Sequence, residues 1–105
     1  MVASGSAGSL EEDGAGLRFG FTVGRRQARR AVQRVMVKRV LREAVRREAA
    51  ALHRFARGRP VDLVLRLRST LPDPTQMSWA ALKRSLRAEA DALLAQLGHY
   101  LGTAR

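Results

Sequence analysis

Between Leu17 and Gly24 the chain alternates, with Leu17, Phe19, Phe21 and Val23 on one side and Arg18, Gly20, Thr22 and Gly24 on the other. A period of two predicts a half-buried strand over 17–24. Its glycines leave the second face low, where a flat ligand can lie or the strand can bend. The period then changes. From about 28 to 55 Val32, Met36, Val37, Val40, Leu41, Ala44 and Val45 spread over one broad arc of a helical wheel, with Met36 near its edge. Gly58 and Pro60 are placed to close that helix. Alternation returns at Val61, Leu63, Leu65 and Leu67 against Asp62, Val64, Arg66 and Arg68, predicting a second strand over 61–68. Leu71-Pro72-Asp73-Pro74 reads as a turn.

A last helix is predicted over 78–97. Ser78 is its N-cap, Met77 and Leu82 form a hydrophobic staple, and Trp79, Leu82, Leu86, Ala90, Leu93 and Leu97 make its apolar stripe. Lys83, Arg84 and Arg87 lie outside the stripe. Trp79 reads as a core anchor, with base stacking as the alternative. The order is strand, helix, strand, helix, and two strands joined by a long helix run parallel if they share a sheet. Residues 1–16 lack periodicity and read as a flexible tail with an acidic patch, Glu11-Glu12-Asp13. Residues 17–105 read as a single domain, in which so short a sheet would be thin.

Charge sharpens this outline. Between Arg25 and Arg47 stand ten basic residues and one acid, Glu43. Arg34, Lys38, Arg42 and Arg46 are spaced by four, so they form one ridge opposite the apolar arc, with Arg39 beside it. Like charges at that spacing repel by a few tenths of a kcal/mol per pair (about 0.2–0.5), so an external polyanion is expected to neutralise them. The whole chain, 105 residues with a formal net charge of +11, points to nucleic acid. Of its 20 basic residues 18 are arginine, whose planar fork grips phosphate and stacks on bases. A GC-rich genome would account for arginine over lysine, but not for the net charge.

Several classes are excluded or lack support. With no cysteine there is no disulfide and no thiolate metal site. No apolar run approaches a membrane span, and no signal-peptide pattern stands at the N-terminus; a cytoplasmic protein without membrane attachment is expected. His53 and His99 have no ligand spacing, Asp62, Asp73, Glu89 and Asp91 make no paired-carboxylate motif, and Gly20 and Gly24 do not make a phosphate loop. Catalytic residues are therefore not expected in the chain.

Three ordered strings carry a family resemblance: Leu17-Arg18-Phe19-Gly20-Phe21-Thr22-Val23-Gly24-Arg25-Arg26, then Arg29-Arg30-Ala31-Val32-Gln33-Arg34, then Lys38-Arg39-Val40-Leu41-Arg42-Glu43. Together they resemble the bacterial ribonuclease P protein family, in which a strand leads into a basic pair and then a helix bearing an Arg-Asn-Arg box and Lys-Arg-x-x-Arg-Glu/Gln. Asp62 to Arg68 and Ser78 to Leu93 resemble its last strand and helix, so the likeness covers about residues 17–97. It implies an α+β two-layer sandwich with a left-handed crossover around the basic helix, against the usual handedness. It implies a protein subunit that binds a catalytic RNA and the 5′ leader of precursor tRNA, one protein per RNA. The RNA would hold the magnesium and perform the hydrolysis, and the protein would bind no cofactor.

Carried onto this chain, the resemblance gives Arg34, Lys38, Arg39, Arg42 and Arg46 to the RNA subunit, Arg25, Arg26, Arg29 and Arg30 to further phosphates, and Arg18, Arg66 and Arg68 to the leader. Two departures stand out. The Arg-Asn-Arg box reads Arg34-Val35-Met36, placing an apolar Val35 on the basic arc. The family also carries a helix, further strands and cleft-lining aromatics before the equivalent of Leu17, where this sequence has 16 residues; an upstream start codon or a shortened homologue is expected. The competing readings are a non-catalytic basic RNA- or DNA-binding structural protein, an inactive homologue, and, with less support, a free-standing nuclease.

Overall fold

The computed structural model describes residues 2–4, 11–12, 17–56, 59–72 and 75–103. Two of its strands are the predicted ones. Strand β3 spans Leu17–Thr22 and β4 spans Val61–Leu67, and they pair in parallel with Leu17 opposite Val61 and Thr22 opposite Arg66. Two shorter strands lie in the stretch expected to be a tail. β1, Val2–Ser4, runs antiparallel to β4, and β2, Glu11–Glu12, runs antiparallel to β3. The sheet order is therefore β1-β4-β3-β2. Neither short segment has a usable hydrophobic period; each is a strand because it satisfies the open backbone edge of a longer one. The sheet is accordingly wider than the two strands read from the pattern.

Helix α1 spans Ala31–Ala56 and joins β3 to β4; α2 spans Trp79–Thr103. α1 lies over β3 and β4, and α2 packs along α1 and touches β1, which makes a two-layer α+β fold. The core between the layers holds Leu17 and Phe19 from β3, Leu63, Leu65 and Leu67 from β4, Val37, Leu41 and Val45 from α1, and Leu86, Ala90 and Leu94 from α2. Arg18, Thr22, Asp62 and Arg66 stand exposed on the sheet's other face, where Val64 is nonetheless buried beside Gly20.

Element ends differ from the periodic reading for local reasons. β3 stops at Thr22 and α1 starts at Ala31 because the Gly24 carbonyl accepts the Ala28 N–H at 3.0 Å and turns the chain. Ala28, expected inside the helix, is instead buried within that turn. Arg30 is the N-cap, and the Gln33 side chain reaches back to accept its N–H at 3.0 Å, half of a capping box. Ser78 caps α2 as expected, its hydroxyl accepting the Ala81 N–H at 3.2 Å, with Leu82 in the core and Met77 half-buried against it. α2 continues past Leu97 because neither proline nor a polar cap follows; Gly98 weakens the helix by about 1 kcal/mol without ending it. The expected stop at Gly58 and the Asp73-Pro74 turn lie outside the described residues.

Two apolar assignments are corrected. Val32 is 59% exposed and Trp79 is 45% exposed, although both lie on apolar arcs. The ion pairs between the helices explain the first. Glu43 faces Arg87 at 3.7 Å and Arg47 faces Asp91 at 3.0 Å, so the helices run parallel with a constant offset. On that offset the first residue of α2, Trp79, stands level with Val35. Val32 lies nearly a turn before it and has no neighbouring helix to pack on. Met36, level with the start of α2, is buried.

Candidate nucleic-acid interface

The stretch between β3 and α1 concentrates charge and is held from several sides. The Leu71 N–H donates to the Gln27 carbonyl at 2.8 Å, and the Thr70 hydroxyl donates to the Arg26 carbonyl at 3.4 Å. From the helix, Arg34 Nη1 donates to the carbonyls of Ala28 and Arg29 at 3.0 and 2.9 Å. Gly24 leaves room for this packing, since a Cβ there would come within 2.5 Å of Gln27 Oε1. With its backbone fixed, the turn exposes Arg25, Arg26, Arg29 and Arg30. The first turn of α1 contains no acid, so among the described residues these four cations meet the positive end of the helix dipole without an acidic partner. A bound anion would relieve both.

The rest of α1 is organised as four rows, each advancing by four residues. Met36-Val40-Ala44 and Val37-Leu41-Val45 are both buried; the first lies next to the row whose Glu43 and Arg47 pair with α2, the second next to the row whose Arg42 meets Phe21 of β3. The two outer rows are Arg34-Lys38-Arg42-Arg46 and Val35-Arg39-Glu43-Arg47. The expected basic ridge is thus the row on the sheet side, and its members differ in role. Lys38 and Arg46 are exposed. Arg42 is half-buried, its guanidinium carbon 5.7 Å from the centre of the Phe21 ring, a cation–π contact that ties α1 to β3. Arg34 is committed to the turn. Arg39 is exposed in the other row and has no acidic partner among the described residues.

The three residues expected at the leader also separate. Arg18 grips its register partner Asp62 with both ends of the fork, Nε to Oδ1 at 2.8 Å and Nη2 to Oδ2 at 2.5 Å. That hydrogen bond holds the Asp62 carboxyl below the usual carboxylate range; desolvation opposes it, and the positive charge of Arg18 adds the least. Arg18 is therefore electrically compensated. Arg66 and Arg68 border a cleft of about 340 Å³ with Thr22, Gly24 and Gln27 at the end of the parallel strand pair. A second cleft of about 510 Å³ lies across Gln27, lined by Arg29, Arg30, Gln33, Thr70 and Leu71 among others.

Gln27, Gln33 and Thr70 did not stand out in the sequence as site residues. Only Gln33, three positions after Arg30, carried a local signal, the third helical position of a capping box. Among the described residues no group of three or more His, Cys, Asp or Glu could hold a metal ion. No helix there is long and apolar enough to cross a membrane.

Comparison with known proteins identifies the fold's relatives. The profile of the family described as Ribonuclease P matches residues 3–97, including β1 residues that periodicity left in a tail. The chain is 40% identical over 92 residues to the ribonuclease P protein component of Bordetella parapertussis, covering 88% of this chain and 68% of that protein, and equally to that of Bordetella bronchiseptica. No solved structure matches at a significant level. A profile spanning both helices and the sheet, and relatives alike over most of the chain, place it plainly: this chain belongs to the ribonuclease P protein family, whose work is tRNA processing.

Proposed function

We propose that this protein is the protein subunit of ribonuclease P, binding a catalytic RNA and the 5′ leader of precursor tRNA to assist leader removal. The observation that carries the reading is the anchored basic turn. Four exposed arginines stand on a backbone held by Leu71, Thr70 and Arg34, at the end of a helix whose first turn holds no acid. Lys38, Arg39 and Arg46 continue the positive surface along α1 and would meet the RNA subunit with that turn. Arg66 and Arg68, beside the smaller cleft, would meet the leader; Arg18, paired with Asp62, would mainly hold β3 to β4. The chemistry belongs to the RNA and its magnesium ions, and the protein supplies affinity and position. Arg42 and Arg34 act in this reading by fixing the surface rather than by contact alone.

The test is reconstitution. The protein is added to a cognate catalytic RNA at low magnesium, and cleavage of the leader is measured. Stimulation is expected; none would leave a structural RNA binder or an inactive homologue. Arg39→Ala should weaken RNA binding and reduce the salt slope by about 0.7–0.9. An unchanged slope removes Arg39 from the interface.

A further inference from the structure

We propose that the groove between α1 and α2 carries a second contact for RNA, in which Trp79 stacks on an unpaired base while Arg39 and Lys83 hold the adjoining phosphate. The inference rests on the reading that this protein binds RNA, and it extends the surface from α1 to α2. Its starting point is the pair of interhelical contacts, Glu43–Arg87 and Arg47–Asp91. The two pairs stand one step of four apart on α1 and one step of four apart on α2. The buried rows, Met36-Val40-Ala44 and Leu82-Leu86-Ala90-Leu94, advance in the same way, so the flanking rows stay beside the seam. Continued toward the N-termini, the ladder sets Arg39 level with Lys83 and Val35 level with Trp79.

The ladder therefore changes character along its length. Its C-terminal half is neutralised by ion pairs. Its N-terminal half has a rung of two exposed cations, with no acidic partner among the described residues, and then an exposed apolar rung, Val35 at 56% and Trp79 at 45%. Two cations facing across a seam repel, and an indole left half in water gives up burial it could have had. Both costs are removed by one occupant. A base has an apolar face for the indole, and its phosphate lies within reach of the cationic rung, one turn or about 6 Å along. Arg84, also exposed, adds positive potential on α2. A duplex presents no free base face, so the site selects unpaired nucleotides. Val35, which cannot hydrogen-bond RNA, has a role here as the apolar neighbour of the stacked base.

Trp79 is the sole tryptophan of the chain, so its fluorescence reports this position alone. The full chain is titrated at one salt concentration with a short single-stranded RNA and with a fully paired RNA hairpin. Binding is followed separately by anisotropy of a dye on the RNA. The single strand should quench the indole and the hairpin should not. Trp79→Ala should weaken single-strand binding about 5- to 150-fold. Trp79→Phe, which still stacks, should retain most of it and keeps the test valid if the alanine variant fails to fold by circular dichroism. Lys83→Ala should lower the salt slope by about 0.7. Single-strand binding with unchanged emission and unchanged affinity in the Trp79 variants overturns the stacking site and leaves the ribonuclease P reading intact. Failure of both RNAs to bind overturns that reading and this one with it. Emission that responds to protein concentration without RNA assigns the groove to a second copy of the chain and overturns the proposal.

Discussion

Arg18 and Arg34 carry the same charge as their exposed neighbours but spend it internally. Arg18 makes a two-point fork on Asp62, and Arg34 bonds two carbonyls of the basic turn. Asp62 is the measurable side of the first pair. Its folded pKa is depressed, so whatever the pair contributes to stability is present above the unfolded carboxylate pKa and is lost as pH falls through the lower, folded value. A carboxyl-carbon NMR titration should show Asp62 titrating below an ordinary aspartate, and Arg18→Ala should return it toward the ordinary range. An unshifted midpoint in the parent protein would deny the fork in solution. Arg34→Ala leaves the Ala28 and Arg29 carbonyls to water and should cost about 0.5–1.5 kcal/mol for each bond that mattered. Faster amide exchange at Ala28 would report the loosened turn directly.

The helices show which sequence signals survive folding. Where one local interaction decides, the pattern was sufficient: Ser78 caps α2 through the Ala81 N–H, and Ser78→Ala should lower stability by about 1 kcal/mol in a urea melt. The β3 and β4 faces and the core of α1 were also legible, because each is set by a period of its own. Leu41, fully buried between the layers, should cost about 2–5 kcal/mol as Leu41→Ala. What periodicity missed depends on a partner. Val32 and Trp79 lie on apolar arcs, yet both are exposed, Val32 because α2 begins beyond it. Val2–Ser4 and Glu11–Glu12 become strands through the backbone edges of β4 and β3, which no side-chain pattern announces. Of the candidate site, the cations were visible as a run of charge. Their division into presented, paired and supporting residues required the contacts of Asp62, Phe21 and the Ala28 and Arg29 carbonyls.

For the whole molecule the governing quantity is the formal net charge of +11 on 105 residues. Self-repulsion of that size opposes the compact state, and added salt screens it, since the Debye length falls from about 30 Å at 0.01 M to about 8 Å at 0.15 M. Acids number 9 against 20 basic residues, and the pairs of Asp62, Glu43 and Asp91 with Arg18, Arg87 and Arg47 are each partly exposed and so weak in salt. Screening such exposed pairs loses less than screening the larger repulsion gains. The urea midpoint should therefore rise with sodium chloride over that range. RNA binding must respond in the opposite sense, because each phosphate contact releases counterions and log affinity falls with log salt by about 0.7–0.9 per contact. One substitution separates the two effects. Arg29→Ala removes an exposed cation at the positive end of α1. It should raise the urea midpoint at low salt while lowering RNA affinity and its salt slope. A variant that lost stability and kept full RNA affinity would mean that the turn is a structural element and that the interface lies elsewhere.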